Sequence, residues 1–260
     1  MKSLLFIFLL SFPFCTYGQK TYEFNWKKEL TIVGGSGLLT AGSIYIDRQS
    51  EPLTIPSPGS TPPNLNIIDR VALDNFSSSA QTSSDVFLYS LTAAPLVMLA
   101  SDKLKENRIE YVLMYAEVIA LNGSLTFLVK SAFNRKRPYF YNDNAPIEER
   151  QALDAAKSFF SGHTSHTAAL SYFTSSVFSE LFPDSDWKPV LWISAATLPA
   201  ITGYLRVRAG RHFPTDVIVG YGVGAGIGLL IPYLHKVQLF ESNDLTISSS
   251  NNGVMVKFTF

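Results

Sequence analysis

Six charge-poor apolar stretches recur along the chain, at Leu30–Ile46, Val86–Ser101, Tyr111–Val129, Thr164–Ser179, Pro189–Leu205 and Val217–Leu234, with Glu117 interrupting the third. Runs of this length and character form helices, and their repetition predicts an all-α fold, a six-helix bundle. Most runs fall short of the ~20 residues needed to span a bilayer, and several contain Ser, Thr, Gly or Asn, which suits tight bundles and polytopic membrane proteins alike. The mean hydropathy of +0.14 tilts the reading toward a bundle folded in an aqueous compartment or lying on a membrane. With 260 residues, 47% of them hydrophobic and 16% charged, the chain can bury the core of one domain.

The two ends differ from this helical body. The start, "MKSLLFIFLLSFPFCTYGQK", pairs one lysine with a short apolar run broken at Pro13, which reads as a secretory signal peptide over residues 1–18 and implies export to the periplasm. A retained first membrane anchor is the alternative. The only cysteine, Cys15, lies inside this segment, so a chain cut near Gly18 has no disulfide. In the tail, residues 241–260, the apolar period changes from helical to alternating around Asn252-Gly253, which predicts a small C-terminal β-hairpin. Residues 19–240 are then one helical domain. The Pro- and Ser-rich stretch "RQSEPLTIPSPGSTPPNLN" reads as an extended loop.

Net charge excludes little: 21 Lys+Arg stand against 21 Asp+Glu, and removing Lys2 with the signal leaves 20 against 21, which gives no footprint for nucleic acid. Local charge says more. "KSAFNRKRP" and "RVRAGRH" concentrate Lys130, Arg135, Lys136, Arg137, Arg206, Arg208 and Arg211 in two short stretches, as an anion-binding site requires. Lys130 and Arg137 are seven residues apart, nearly two helical turns, and leave one face if the helix runs on to Pro138. The plainer alternative is a basic helix end that offsets its own dipole.

In "FSGHTSH", Ser161 and Gly162 sit where a helix begins, and free N–H groups there bind phosphate. His163 then faces the same anion and is suited to general-acid work. His166, three residues on, raises a two-histidine metal site, but the usual helical pair is i,i+4 with a glutamate between, and none is present; a packing or hydrogen-bonding role fits His166 better. In "YLRVRAGRHFPTDVIVG", His212 precedes Asp216 by four residues, and an aspartate on one ring nitrogen leaves the other free to attack. His212 is the candidate nucleophile and Arg206 a fork of donors for phosphate oxygens, with Arg208 and Arg211 as rim charges. An i,i+4 pair that only staples a helix is the structural alternative.

Taken together and in this order, K-x6-RP at Lys130–Pro138, SGH at Ser161–His163 and R-x5-H-x3-D at Arg206–Asp216 resemble the three-part signature of the type 2 phosphatidic acid phosphatase superfamily, which includes bacterial acid phosphatases and vanadium haloperoxidases. The resemblance departs at Phe160, where the family usually has proline, and at Leu205, where serine is usual. It implies that Lys130, Arg137, Ser161, Gly162 and Arg206 bind the phosphoryl group. His212 takes it as a phosphohistidine, His163 protonates the leaving oxygen and Asp216 orients His212, with no metal or other cofactor. The implied substrate is a phosphomonoester or diphosphate, a phosphorylated lipid (phosphatidate, prenyl diphosphate or lipid A type) or a small organic phosphate. Its partners include a membrane and no nucleic acid. Two rival activities share the motifs: a vanadium-dependent haloperoxidase, and a membrane protein that binds lipid or phosphate without turnover.

Overall fold

The computed structural model describes residues 20–50, 53–54, 65–237, 246–250 and 253–257. The expected signal segment, Cys15 and most of the Pro- and Ser-rich loop lie outside the described residues. Seven α-helices follow in order: α1 (Trp26–Asp47), α2 (Ser78–Ala93), α3 (Arg108–Phe133), α4 (Ile147–Gln151), α5 (Gly162–Leu181), α6 (Lys188–Arg208) and α7 (Pro214–His235). Among the described residues the expected count of six is therefore corrected to seven. The addition is α4, a five-residue turn too short for any apolar period to announce it.

Helix boundaries follow local chemistry. Asn25 caps α1 by accepting the Lys27 N–H, and Ser77 caps α2 by accepting the Ala80 N–H. Pro189 and Pro214 stand in the first turns of α6 and α7, where a missing N–H costs nothing. At the N-terminus of α7, Asp216 accepts the Phe213 N–H at 2.9 Å. α3 ends at Phe133 because Asn134 turns left-handed at φ 47°. Lys130 and Arg137 are thus not on one helix face as expected: Arg137 follows the helix in extended conformation.

α5 lies at the centre and packs most extensively against α7. A Cβ added at Gly220, Gly224 or Gly228 would come within 2.6, 2.0 and 2.2 Å of the carbonyls of Ser161, Ser165 and Ala169. Small residues every fourth position let the two backbones touch along this seam. Beside it, Tyr111, Met114 and Val118 of α3 pack on Leu170 and Phe173 of α5 and Ile231 of α7, with the Tyr111 and Phe173 rings 5.2 Å apart.

Segments within Ser78–Ala100, Asp102–Tyr141, Lys188–Arg208 and Pro214–His235 are long and apolar enough to cross a membrane, yet only 11% to 33% of their apolar windows is buried in the protein. Leu38, Val86, Ile193 and Ile218 all point outward. Apolar surface on this scale is costly in water and stable in lipid. The chain is membrane-embedded, which corrects the lean toward an aqueous bundle. Apolar runs understate helix length: α3 has 26 residues, roughly 39 Å at ~1.5 Å per residue, because its polar ends also coil.

In the tail, Thr246–Ser250 (β1) and Gly253–Lys257 (β2) pair antiparallel, with Ser250 opposite Gly253. Asn252 of the expected Asn252-Gly253 turn lies outside the described residues, and Gly253 begins β2.

Candidate active site

The site is built where the N-termini of α5 and α7 meet the end of α3. Ser161 caps α5, its Oγ 3.5 Å from the Thr164 N–H and 2.9 Å from Thr164 Oγ1. Its own N–H donates to the Asp216 carbonyl at 3.0 Å, which ties the two helix starts together. Gly162 follows, and a Cβ there would sit 3.1 Å from Thr126 Cγ2 and 3.8 Å from Lys130 Cε. The backbone of this helix start thus lies directly against the lysine stem.

Three cations surround the spot, and all are buried: Lys130, Arg137 and Arg206. Lys130 donates to the Lys157 carbonyl. Arg137 is held by Asp154 through its carbonyl at 2.9 Å and its carboxylate at 2.8 Å. Arg206 donates to Ser84 Oγ at 3.2 Å, but its buried Nε has no partner among the described residues. A buried donor left unmatched costs about 1–3 kcal/mol, and three converging cations repel one another. An anion resolves both problems.

His212 is fully enclosed between them. Its Nδ1 lies 2.8 Å from the Ser158 carbonyl, so Nδ1 carries the proton and donates. Nε2 is left with its lone pair, 3.4 Å from Arg137 Nη1. Burial, followed by the charges of Lys130, Arg137 and Arg206, holds the imidazole well below its usual value, so it stays neutral. Asp216 is not the direct partner expected from the i,i+4 spacing, because its Oδ2 is 3.7 Å from Nδ1. It accepts the Ser158 hydroxyl at 2.6 Å instead and pairs with Arg135. Its hold on His212 passes through Ser158.

His163 bonds through Nε2 to Asp85 at 2.8 Å, and Arg206 Nη1 lies 3.6 Å from the same carboxylate oxygen. Burial, then the Arg206 charge, pushes the His163 imidazole down to about 4, while Asp85 pulls the other way. His166 bonds to Thr92 Oγ1 at 3.0 Å, as its hydrogen-bonding role predicts. Arg211 is not a rim charge: it pairs with Glu149 at 2.7 Å and stacks on Tyr139 with its side chain only 12% exposed.

A cavity of about 410 Å³ opens here. Lys130, Arg137, Gly162, His163, Arg206 and His212 line its polar end, and Leu88, Tyr89 and Phe127 line its apolar wall. The structure thus brings the expected residues of all three motifs into one locality, with Ser161 and Asp216 fixing the walls behind.

Sequence reasoning missed Asp85, Ser158, Asp154 and Asp69. Asp69 is buried and accepts from Arg135, from the Thr215 N–H and from Thr215 Oγ1. Asp85 had a readable signal: it is the only charge in the α2 sequence SSAQTSSDVFLYSLTA. Ser158 had none, because what it offers His212 is a backbone carbonyl.

A family model described as the PAP2 superfamily matches residues 111–239, which takes in all three motifs and stops before the β-strands. The lipid A 1-phosphatase of Rhizobium johnstonii is 30% identical over 167 residues, 61% of this chain and 63% of that one. The lipid A 4'-phosphatase of Porphyromonas gingivalis is 35% identical over 82 residues, 32% of this chain and 30% of that one. The chain spans less than two thirds of either relative. Among solved structures, a transmembrane PAP2 type phosphatidylglycerolphosphate phosphatase from Bacillus subtilis aligns over 80% of this chain and 92% of its own, with 18% identity and a TM-score of 0.48.

Proposed function

This chain belongs to the PAP2 superfamily, and on that premise we propose that it is a membrane phosphatase that removes phosphate from a phosphorylated lipid through a phosphohistidine at His212. The observation that carries the reading is His212 itself, a neutral imidazole with its free Nε2 3.4 Å from Arg137 in a pocket ringed by Lys130, Arg137 and Arg206.

The phosphoryl group sits among the three cations and the N–H groups at the start of α5, where charge spread over its oxygens is stabilised. His212 Nε2 attacks phosphorus, an N–P bond forms, and the P–O bond to the leaving group breaks. His163 acts in its doubly protonated form: Nε2–H is held by Asp85, and the Nδ1 proton goes to the leaving oxygen. Water then attacks phosphorus, its proton passing to His163, and inorganic phosphate leaves with His212 restored. Ser158 and Asp216 are positioning residues, fixing the tautomer that exposes Nε2.

The apolar wall of Leu88, Tyr89 and Phe127 suits a lipid chain beside the phosphate, and the relatives are named for lipid A phosphates. Tyr89 and Phe127 are 71% and 59% exposed, which gives the pocket a side entrance from the bilayer. We place the pocket on the periplasmic side, with the helical unit 19–240 carrying the activity; thiol labelling of single cysteines introduced beside the pocket checks that side. The test is phosphate release by detergent-purified protein from lipid A, phosphatidate and prenyl diphosphate, set against a soluble aryl phosphate. The account expects turnover of a lipid phosphate, inhibited by vanadate. Turnover of none of them, or halide oxidation by peroxide after vanadate loading, would overturn it.

A further inference from the structure

The fourth histidine, His235, belongs to none of the three motifs and is buried at the far end of α7. That end lies about 30 Å from His212 along the helix, at ~1.5 Å per residue. Its Nδ1 is 2.8 Å from the Ile231 carbonyl, so Nδ1 carries the proton and Nε2 points away from its own helix. Facing Nε2 are two carboxylates from two other helices: Glu29 Oε2 of α1 and Glu117 Oε2 of α3, each at 3.2 Å. All three donor atoms lie within 4.8 Å of one another.

Glu117 is the independent sign that something belongs between them. It is 3% exposed, and neither of its carboxylate oxygens accepts a hydrogen bond among the described residues. Lys28, one residue before Glu29, spends its ammonium on the Leu234 carbonyl. Without a cation, a proton on Nε2 serves one carboxylate at a time, and the other has to take up a proton of its own to avoid a bare charge in a buried place. A divalent cation serves all three donors at once and balances two carboxylates to neutrality.

We infer that Glu29, Glu117 and His235 form a buried site for one divalent transition-metal ion, which clamps the C-terminal end of α7 to α1 and α3. The donor set points to Zn²⁺ within that class, since an imidazole nitrogen favours it over the oxygen-seeking Mg²⁺ and Ca²⁺. Zinc bonds of about 2.0–2.1 Å at tetrahedral angles separate neighbouring donors by roughly 3.3 Å, close to the 3.2 Å seen here. The Nδ1 bond to a backbone carbonyl is the outer support that metal-bound imidazoles use.

The test uses full-length protein in detergent, stripped with a chelator and dialysed against Zn²⁺ alone. Metal is counted per chain in wild type, in Glu117→Gln, in His235→Gln and in His163→Ala. The inference expects about one Zn²⁺ per chain in wild type and in His163→Ala, with affinity at least about tenfold weaker in the other two. Unchanged binding in Glu117→Gln and His235→Gln, or no stoichiometric binding by wild type, would overturn it. If either buried variant fails to fold, Glu29→Gln at the edge of the cluster gives the same reading. Wild type loaded with Co²⁺ adds a readout without mutation: the intense visible bands of four-coordinate cobalt are expected, and the weak bands of the hydrated octahedral ion would contradict the site.

Discussion

His212 and His235 stand near opposite ends of α7 and are held alike, each with Nδ1 2.8 Å from a backbone carbonyl and Nε2 turned outward. Their surroundings are opposite in sign. Nε2 of His212 faces Arg137, with Lys130 and Arg206 behind it; Nε2 of His235 faces Glu29 and Glu117. The same imidazole geometry is thus prepared for an anion at one end and for a cation at the other. What a histidine does here is decided by the charges that other helices bring to the two ends of α7, which is itself held by its seam with α5.

Breaking that seam has the largest expected effect. Gly224→Val puts a Cβ about 2.0 Å from the Ser165 carbonyl, and neither backbone can retreat without moving the helix starts that carry His163 and His212. Loss of folded protein, read by thermal melting in detergent, is expected at both ends together; a variant that melts like wild type would separate them. Next comes His163→Ala, which removes the proposed proton donor. Turnover of a lipid phosphate should fall by about 10²–10⁴-fold, and by much less for an aryl phosphate whose leaving group needs no proton. Equal losses on both substrates would deny His163 that role. Arg206→Ala, which deletes the buried donor at Nε, should cost about 10²–10³-fold in kcat and weaken vanadate inhibition. It should leave the metal content of the His235 end unchanged.

The smallest effect concerns pH. Asp85 favours the charged form of His163 against burial and Arg206. Activity that needs a protonated His163 falls as pH rises through its pKa. Asp85→Asn lowers that pKa further, so the alkaline limb of kcat/KM should move toward lower pH, by about a unit or less. Movement toward higher pH would reverse the sign of the coupling. Stability follows the same group: its pKa is lower folded than unfolded, so stability is full above the unfolded value near 6.5 and declines as pH falls toward about 4.

How much of this could be read beforehand depended on sequence distance. That Gly162, His163, His212 and Arg206 would meet at one cavity was legible because they sit in short motifs, where a cap or a proline marks the helix start. The six long helices were legible from their apolar runs, but not their full reach: α3 continues to Phe133 and stops at a left-handed Asn134 that no period announces. Asp216 was assigned directly to His212 because i,i+4 spacing is local, whereas the actual partner, the Ser158 carbonyl, comes from 54 residues away. Asp85 was visible as the lone charge of α2 and Glu117 as the lone charge within the apolar run Tyr111–Val129. What each one faces is set by tertiary packing, which spacing along the chain does not encode.

The central claim is that His212 Nε2 takes the phosphoryl group. It is tested most directly by acid- or base-quenching the enzyme during turnover of a lipid phosphate and locating covalent phosphate by peptide mass spectrometry. The account predicts a base-stable, acid-labile phosphoryl group on the peptide carrying His212, absent in His212→Ala, whose turnover falls by at least about 10⁴-fold. Phosphate on another residue, or full turnover in His212→Ala, would contradict it.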